Sequence, residues 1–279
     1  MKMLGLQQED PNKTAAMVRD TELFLFDLDG TLYLGNTLFD FTLPLLNAIR
    51  AQGKRYMFMT NNSSKSVSAY VDKLTRLGVA ARPEDFVTSA QATMVYLRQH
   101  YPDLRLYVCG TRSLQEELTQ NGFAVTEDPD RAECLLMGFD TELTFAKLDG
   151  ICRQLSTREI PYVATHPDSV CPTEYGSVPD CGSVCDMVYN ATKKRPEVVG
   201  KPQPLMAQMA MERWGVSPRH TAVVGDRLNT DIRCGINAGA RSFLVLTGET
   251  TREMLADSRV RPDAIMESAE VILRLLTRD

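Results

Sequence analysis

No run of apolar residues in this 279-residue chain approaches the ~20 needed to cross a bilayer, so no membrane role is expected. Positive charge is not in excess either. Lys and Arg number 31 against 36 Asp and Glu, for a net charge of −5, and no basic surface argues for nucleic acid. There is no GxxxxGK[ST] loop, which excludes a P-loop nucleotidase. The seven cysteines, at 109, 134, 152, 171, 181, 185 and 234, include no CxxC spacing. Cys171, Cys181 and Cys185 fall near one another, but no fourth ligand accompanies them, so reduced thiols are expected. Met1 to Asp20 has neither an apolar core nor a cleavage-site pattern. It reads as a loosely docked lead-in (1–20) to a cytoplasmic protein. No internal repeat or low-complexity tract is visible.

What is present is an ordinary globular composition, 43% hydrophobic and 24% charged. Strand-like and helix-like patterns alternate along the chain, which predicts an α/β protein with parallel sheets covered by helices. Leu43 to Gln52, closed by Gly53, and the helical spacing of Val67, Tyr70, Val71, Leu74 and Leu77, closed by Gly78, are two such helices. Pro204 to Trp214 and Ser268 to Thr277 are two more, and Arg241–Leu246 and Ala264–Met266 are late strands. A stretch of about a hundred residues in the middle of the chain has its own strand and helix alternation and is too long for a loop. The predicted organisation is therefore a core formed by 21–85 and 183–279, with an inserted smaller α/β domain at 86–182.

Four apolar runs end in polar clusters. Leu23-Phe24-Leu25-Phe26 leads into Asp27-Leu28-Asp29-Gly30-Thr31, and Arg55 to Met59 leads into Thr60-Asn61-Asn62-Ser63-Ser64. Glu197-Val198-Val199 precedes Gly200-Lys201-Pro202, and Thr221 to Val224 precedes Gly225-Asp226-Arg227-Leu228-Asn229-Thr230-Asp231. Ligands bind at the carboxyl ends of strands in open α/β sheets. Two carboxylates one residue apart, Asp27 and Asp29, repel unless a cation or a shared proton relieves them. Each cluster also has a plainer explanation. Asp226 to Asp231 suits an acidic helix N-terminus, Thr60 and Asn61 suit a cap or turn, and an isolated lysine is usually solvated.

The four clusters, in this order, resemble the four motifs of the haloacid dehalogenase superfamily. Leu32-Tyr33-Leu34-Gly35 and the Thr-Asn-Asn sequence are similar to its subclass IIA, which holds p-nitrophenylphosphatase-like and phosphoglycolate-phosphatase-like enzymes. The resemblance implies a Rossmann-like doubly wound parallel sheet with an inserted cap of the C2 type. It implies Asp27 as nucleophile and Asp29 as general acid and base, with Thr60, Asn61 and Lys201 on the phosphoryl group. Mg²⁺ would be held by Asp27, Asp226 and the main-chain oxygen of Asp29, with Asp231 behind them. Leaving-group contacts would come from Asn62 and Ser63, or from His166, Asp168, Glu174 and Tyr175 in the segment 165–180. The expected activity is Mg²⁺-dependent hydrolysis of small phosphorylated metabolites, of the sugar, nucleotide or glycolate phosphate type. A phosphotransferase with the same Asp pair, a non-catalytic regulatory module, and a homo-oligomer formed through the cap are left open.

Overall fold

Leu23–Phe26 is apolar at every position, a pattern that suits a central strand of a parallel sheet covered on both faces. All four side chains are fully buried, and the rings of Phe24 and Phe26 stack with centroids 5.9 Å apart. Burial of this kind contributes roughly 1.5–3 kcal/mol per side chain. The computed structural model describes residues 11–173 and 175–277. They fall into two compact units. One takes the described residues up to Met59, then Lys73–Val87 and those from Pro202 onward; the other takes Thr60–Asp72 and Thr88–Lys201.

The first unit is built on a six-stranded sheet. Its order is Ala264–Met266, Arg241–Val245, Thr221–Gly225, Leu23–Phe26, Arg55–Thr60, Phe86–Thr88. Leu23–Phe26 pairs in parallel with Thr221–Val224 on one side and Arg55–Phe58 on the other. Numbered along the chain these strands run 3-2-1-4-5-6 from the Phe86 edge, the order of a doubly wound fold. The winding reverses between Leu23–Phe26 and Thr221–Gly225, the switch point where such sheets bind ligands.

The expected helices form with boundaries shifted by a residue or two: Thr42–Ala51, Val67–Arg76, Leu205–Trp214 and Glu270–Thr277. Gly53 and Gly78 close the first two with φ of +68° and +87°. The segment Pro11–Asp20 is a helix with Thr14, Ala15 and Val18 buried, rather than a loosely docked lead-in. Arg241 donates to the carbonyl of Met17 at 2.6 Å and Lys54 to that of Thr21 at 2.7 Å, which fastens its C-terminal end. Residues 1–10 lie outside the described residues.

The second unit has a five-stranded parallel sheet: Glu197–Val198, Tyr162–Ala164, Cys134–Met137, Leu106–Cys109, Val125–Thr126. Tyr107, Leu135, Met137, Ile151, Tyr162, Val184 and Val188 share its core. Thr111 and Thr144 cap the helices Arg112–Gln120 and Phe145–Thr157 through their hydroxyls. The expected end of the insert was 182, but the helix Cys181–Thr192 and the strand Glu197–Val198 run past it within this unit. The reason is burial: Cys181, Val184, Cys185 and Val188 pack into the same core as the strands, with Val198 against it. The segment 165–180 contains an antiparallel hairpin, Val170–Thr173 with Gly176–Pro179.

Candidate active site

Two strand ends flank the switch point, and each delivers a carboxylate. Asp27 follows Leu23–Phe26, and its N–H donates to the carbonyl of Val224 at 2.9 Å, so it continues the pairing with the neighbouring strand. Asp226 follows Thr221–Gly225 and is buried. Asp231 is reached through a single π-helical turn, Leu228–Ile232, that precedes the short helix Arg233–Asn237. The Asp231 carboxylate accepts from the Arg227 N–H at 3.1 Å, pinning that turn. Asp27, Asp226 and Asp231 each offer an oxygen, all within 4.8 Å of one another.

Gly30 and Gly248 approach the Asp226 carboxylate too closely to carry side chains of their own. Its Oδ2 accepts from the Glu249 N–H at 2.6 Å. A Cβ on Gly30 would lie 2.7 Å from that oxygen, and one on Gly248 would collide with it. Gly30 also has φ +79°, the left-handed region that glycine alone adopts freely. A cluster of hard carboxylate oxygens in such a cradle suits Mg²⁺, which prefers oxygen ligands and few carboxylates.

Asp29 sits in the turn beyond Asp27. Its Oδ1 accepts from the Gly35 N–H at 3.3 Å, and its Oδ2 lies 3.9 Å from Lys73 Nζ. The Lys73 ammonium also stands over the Tyr33 ring, 3.9 Å from its centroid. Lys73 was not singled out from the sequence. Its only signal is a lysine in the helical run after the second cluster.

The second and third clusters are joined within the other unit. The Asn61 amide clasps the backbone of Lys201 from both sides: Oδ1 accepts from its N–H at 2.8 Å, and Nδ2 donates to its carbonyl at 2.9 Å. The Lys201 side chain is buried. Thr60 ends its strand and accepts from the Asn62 N–H at 3.2 Å, while Asn62 Oδ1 takes the Ser64 N–H at 2.9 Å. These bonds engage the N–H groups of Asn62 and Ser64 and hold the turn in shape. Ser63 is buried, its hydroxyl accepting from the Phe139 N–H at 2.9 Å and paired with Thr165 at 3.0 Å.

His166 has no exposed surface and lies between Asp168 and Asp180, 3.5 Å from each. Burial pulls the imidazole down, but the neighbouring carboxylates of Asp168 and Asp180 outweigh it, holding it above its ordinary value. Tyr175 is exposed on the hairpin turn, and Glu174 lies outside the described residues. All seven cysteines are free thiols, and among the described residues none joins a metal-capable cluster.

A family model described as haloacid dehalogenase-like hydrolase matches residues 24–124, and a second, hydrolase-like model of the same group matches 198–271. An acid sugar phosphatase of Staphylococcus aureus is 32% identical over 246 residues, 88% of this chain and 94% of that protein. The chain belongs to the haloacid dehalogenase superfamily. Among solved structures, a 4-nitrophenylphosphatase from Thermotoga maritima is similar at 36% identity with a TM-score of 0.87, over 92% of this chain and 98% of that one. A glycerol phosphate phosphatase from Mycobacterium tuberculosis, solved with magnesium, is 30% identical with a TM-score of 0.84, over 94% of this chain and 78% of its own. These neighbours are p-nitrophenylphosphatase-like proteins of subclass IIA. The present chain is a phosphatase hydrolase of that superfamily, and among its described residues no helix is long and apolar enough to cross a membrane.

Proposed function

We propose that this protein hydrolyses small phosphate monoesters, of the sugar, nucleotide or glycolate phosphate type, through an aspartyl-phosphate intermediate. The observation that carries the reading is the meeting of Asp27, Asp226 and Asp231 at the two strand ends flanking the switch point.

Asp27 attacks phosphorus, forming an acyl-phosphate bond as the bond to the leaving oxygen breaks. Asp29 gives its proton to that oxygen. As a carboxylate it then takes a proton from the water that attacks the phosphoaspartate, releasing inorganic phosphate and restoring Asp27. Thr60, Asn61 and the ammonium of Lys201 hold the phosphoryl oxygens. Asp27, Asp226 and the main-chain oxygen of Asp29 would hold Mg²⁺, which neutralises charge on the phosphoryl group; Asp231 orients that set. The inserted α/β segment in the middle of the chain serves as the cap, with Asn62 and Tyr175 as candidates for the leaving group. Seven free thiols, five of them buried, fit a cytoplasmic setting.

The test is phosphate release from p-nitrophenyl phosphate and from a panel of phosphorylated metabolites, with and without Mg²⁺. Activity that a chelator abolishes and Mg²⁺ restores is expected. Activity that survives exhaustive chelation would remove the oxygen-ligand site from the mechanism, and phosphate retained on an acceptor would make the protein a phosphotransferase.

A further inference from the structure

The two segments that hold the acidic cluster in place also line a cavity of their own. It measures about 430 Å³ and lies wholly within the first unit. One side is the π-helical turn Leu228–Ile232 with Arg233 after it, and another is Glu249 and Thr250. The segment from Met254 to Val260 completes it. Single π-helical turns occur frequently at functional sites. The volume falls within the roughly 300–1,000 Å³ of small-molecule sites.

The lining has an apolar part and a charged part. Leu228 and Val260 belong to a buried cluster with Ile232, Leu244 and Leu255, and Met254, 44% exposed, lines the same cavity. Arg233 and Arg259 reach it from separate segments. Both are exposed, and among the described residues neither side chain makes an ion pair or hydrogen bond. Of the two carboxylates in the lining, Glu249 is engaged by Arg227 at 3.0 Å, which leaves Asp257 against two positive charges. In a chain of net charge −5 that is a local excess of positive charge. Guanidinium forks suit the paired oxygens of a phosphate, and a methionine packs readily on a flat ring.

The same lining residues touch the acidic cluster. The Glu249 N–H donates to Asp226 Oδ2 at 2.6 Å, and the Thr250 N–H donates to the Asp226 carbonyl at 3.2 Å. The π-helical turn carries Asp231, whose carboxylate accepts from the Arg227 N–H. The Arg227–Glu249 pair ties the two segments to each other. A molecule that braces this lining therefore braces both carboxylates.

We propose that this cavity is an effector site for an organic phosphate. The phosphate lies on Arg233 and Arg259, and the apolar body on Leu228, Met254 and Val260. Its occupation orders the Asp226 and Asp231 carboxylates and so strengthens Mg²⁺ binding, because a site ordered in advance loses less freedom when the ion arrives. This coupling rests on the reading of Asp226 as a metal ligand; the cavity itself does not.

The probe is phenylphosphonate, whose C–P bond a phosphatase does not hydrolyse. It is titrated calorimetrically, without Mg²⁺, into the full-length parent, Lys201→Ala and Arg233→Gln/Arg259→Gln. Both arginines are exposed, so the double variant loses little packing. The expected result is a binding event that survives Lys201→Ala and is lost in the double variant, whose kcat on p-nitrophenyl phosphate stays within twofold of the parent. Binding that Lys201→Ala abolishes, or that the double variant retains, overturns the site. The Mg²⁺ activation constant, taken at saturating substrate, should then fall at least threefold with phenylphosphonate in the parent and not at all in the double variant. An unchanged constant in a parent that binds the probe at this site overturns the effector role. If activity needs no Mg²⁺, the reading of Asp226 and the coupling fall together, while calorimetry still decides the site.

Discussion

The N–H of Glu249 donates to Asp226 Oδ2 at 2.6 Å, and the preceding Gly248 has no space for a side chain on the face it turns to that oxygen. The loop after Arg241–Val245 thus aims the Asp226 carboxylate. Gly248→Ala forces either the loop or the carboxylate aside. We expect the Mg²⁺ activation constant to rise at least tenfold with little change in melting temperature. A Mg²⁺ titration of activity checks this, and an unchanged constant would reject Asp226 as a ligand aimed by this loop.

Asp27→Asn should leave the fold intact and abolish turnover, because an amide does not attack phosphorus. Asp27 is only partly buried, so the change costs little in packing. Circular dichroism and phosphate release on the same preparation are the two measurements. Turnover above that of a mock-purified sample would rule Asp27 out as the nucleophile.

Asp29→Asn removes the proton donor. Loss of general acid–base catalysis typically costs ~10²–10⁴-fold in rate, so an alkyl phosphate should suffer in that range. An aryl phosphate should suffer less in its first step, since its leaving group scarcely needs a proton. Lys73→Met should lower kcat by a smaller factor, because the Gly35 N–H still holds one oxygen of Asp29. Equal losses for alkyl and aryl phosphates in Asp29→Asn would count against the acid role.

Burial pushes the thiols of Cys109 and Cys134 up to about 12, from 9.0 in the open chain. Between these values the unfolded chain releases protons that the folded protein retains. The folded state binds more protons, so stability falls as pH rises above about 9. Melting temperatures measured from about pH 8 to pH 10.5 should decline, and the slope should be shallower in the Cys109→Ala/Cys134→Ala double variant. An identical slope would show that other groups govern the alkaline loss.

Much of the site could be read along the chain. The Leu23–Phe26 and Thr221–Val224 runs are apolar at every position, and each ends in a carboxylate followed by a turn, so the strand-end placement of Asp27 and Asp226 is local information. Asp29, Asn61 and Lys201 were legible in the same way, as polar residues following an apolar run, while Thr60 closes its strand and Asp231 lies in the turn after Asp226. The hairpin Val170–Thr173 with Gly176–Pro179 was not, because Gly176 and two prolines mask its alternation. Lys73 and Asp180 were missed because a lysine on a helix and an aspartate before one have ordinary local explanations. Their partners lie far away along the chain.

The residue pattern by itself determined the alternation of strands and helices, the caps, and the polar cluster at each strand end, since all of these follow from neighbours a few residues apart. Only the tertiary structure decided that Glu197–Val198 joins the second sheet, that Pro11–Asp20 is docked, and that His166 is sealed between Asp168 and Asp180. Such outcomes depend on which apolar faces bury one another and which charges are then left to be paired. Burial and pairing are set by residues distant in sequence, and no local spacing encodes them.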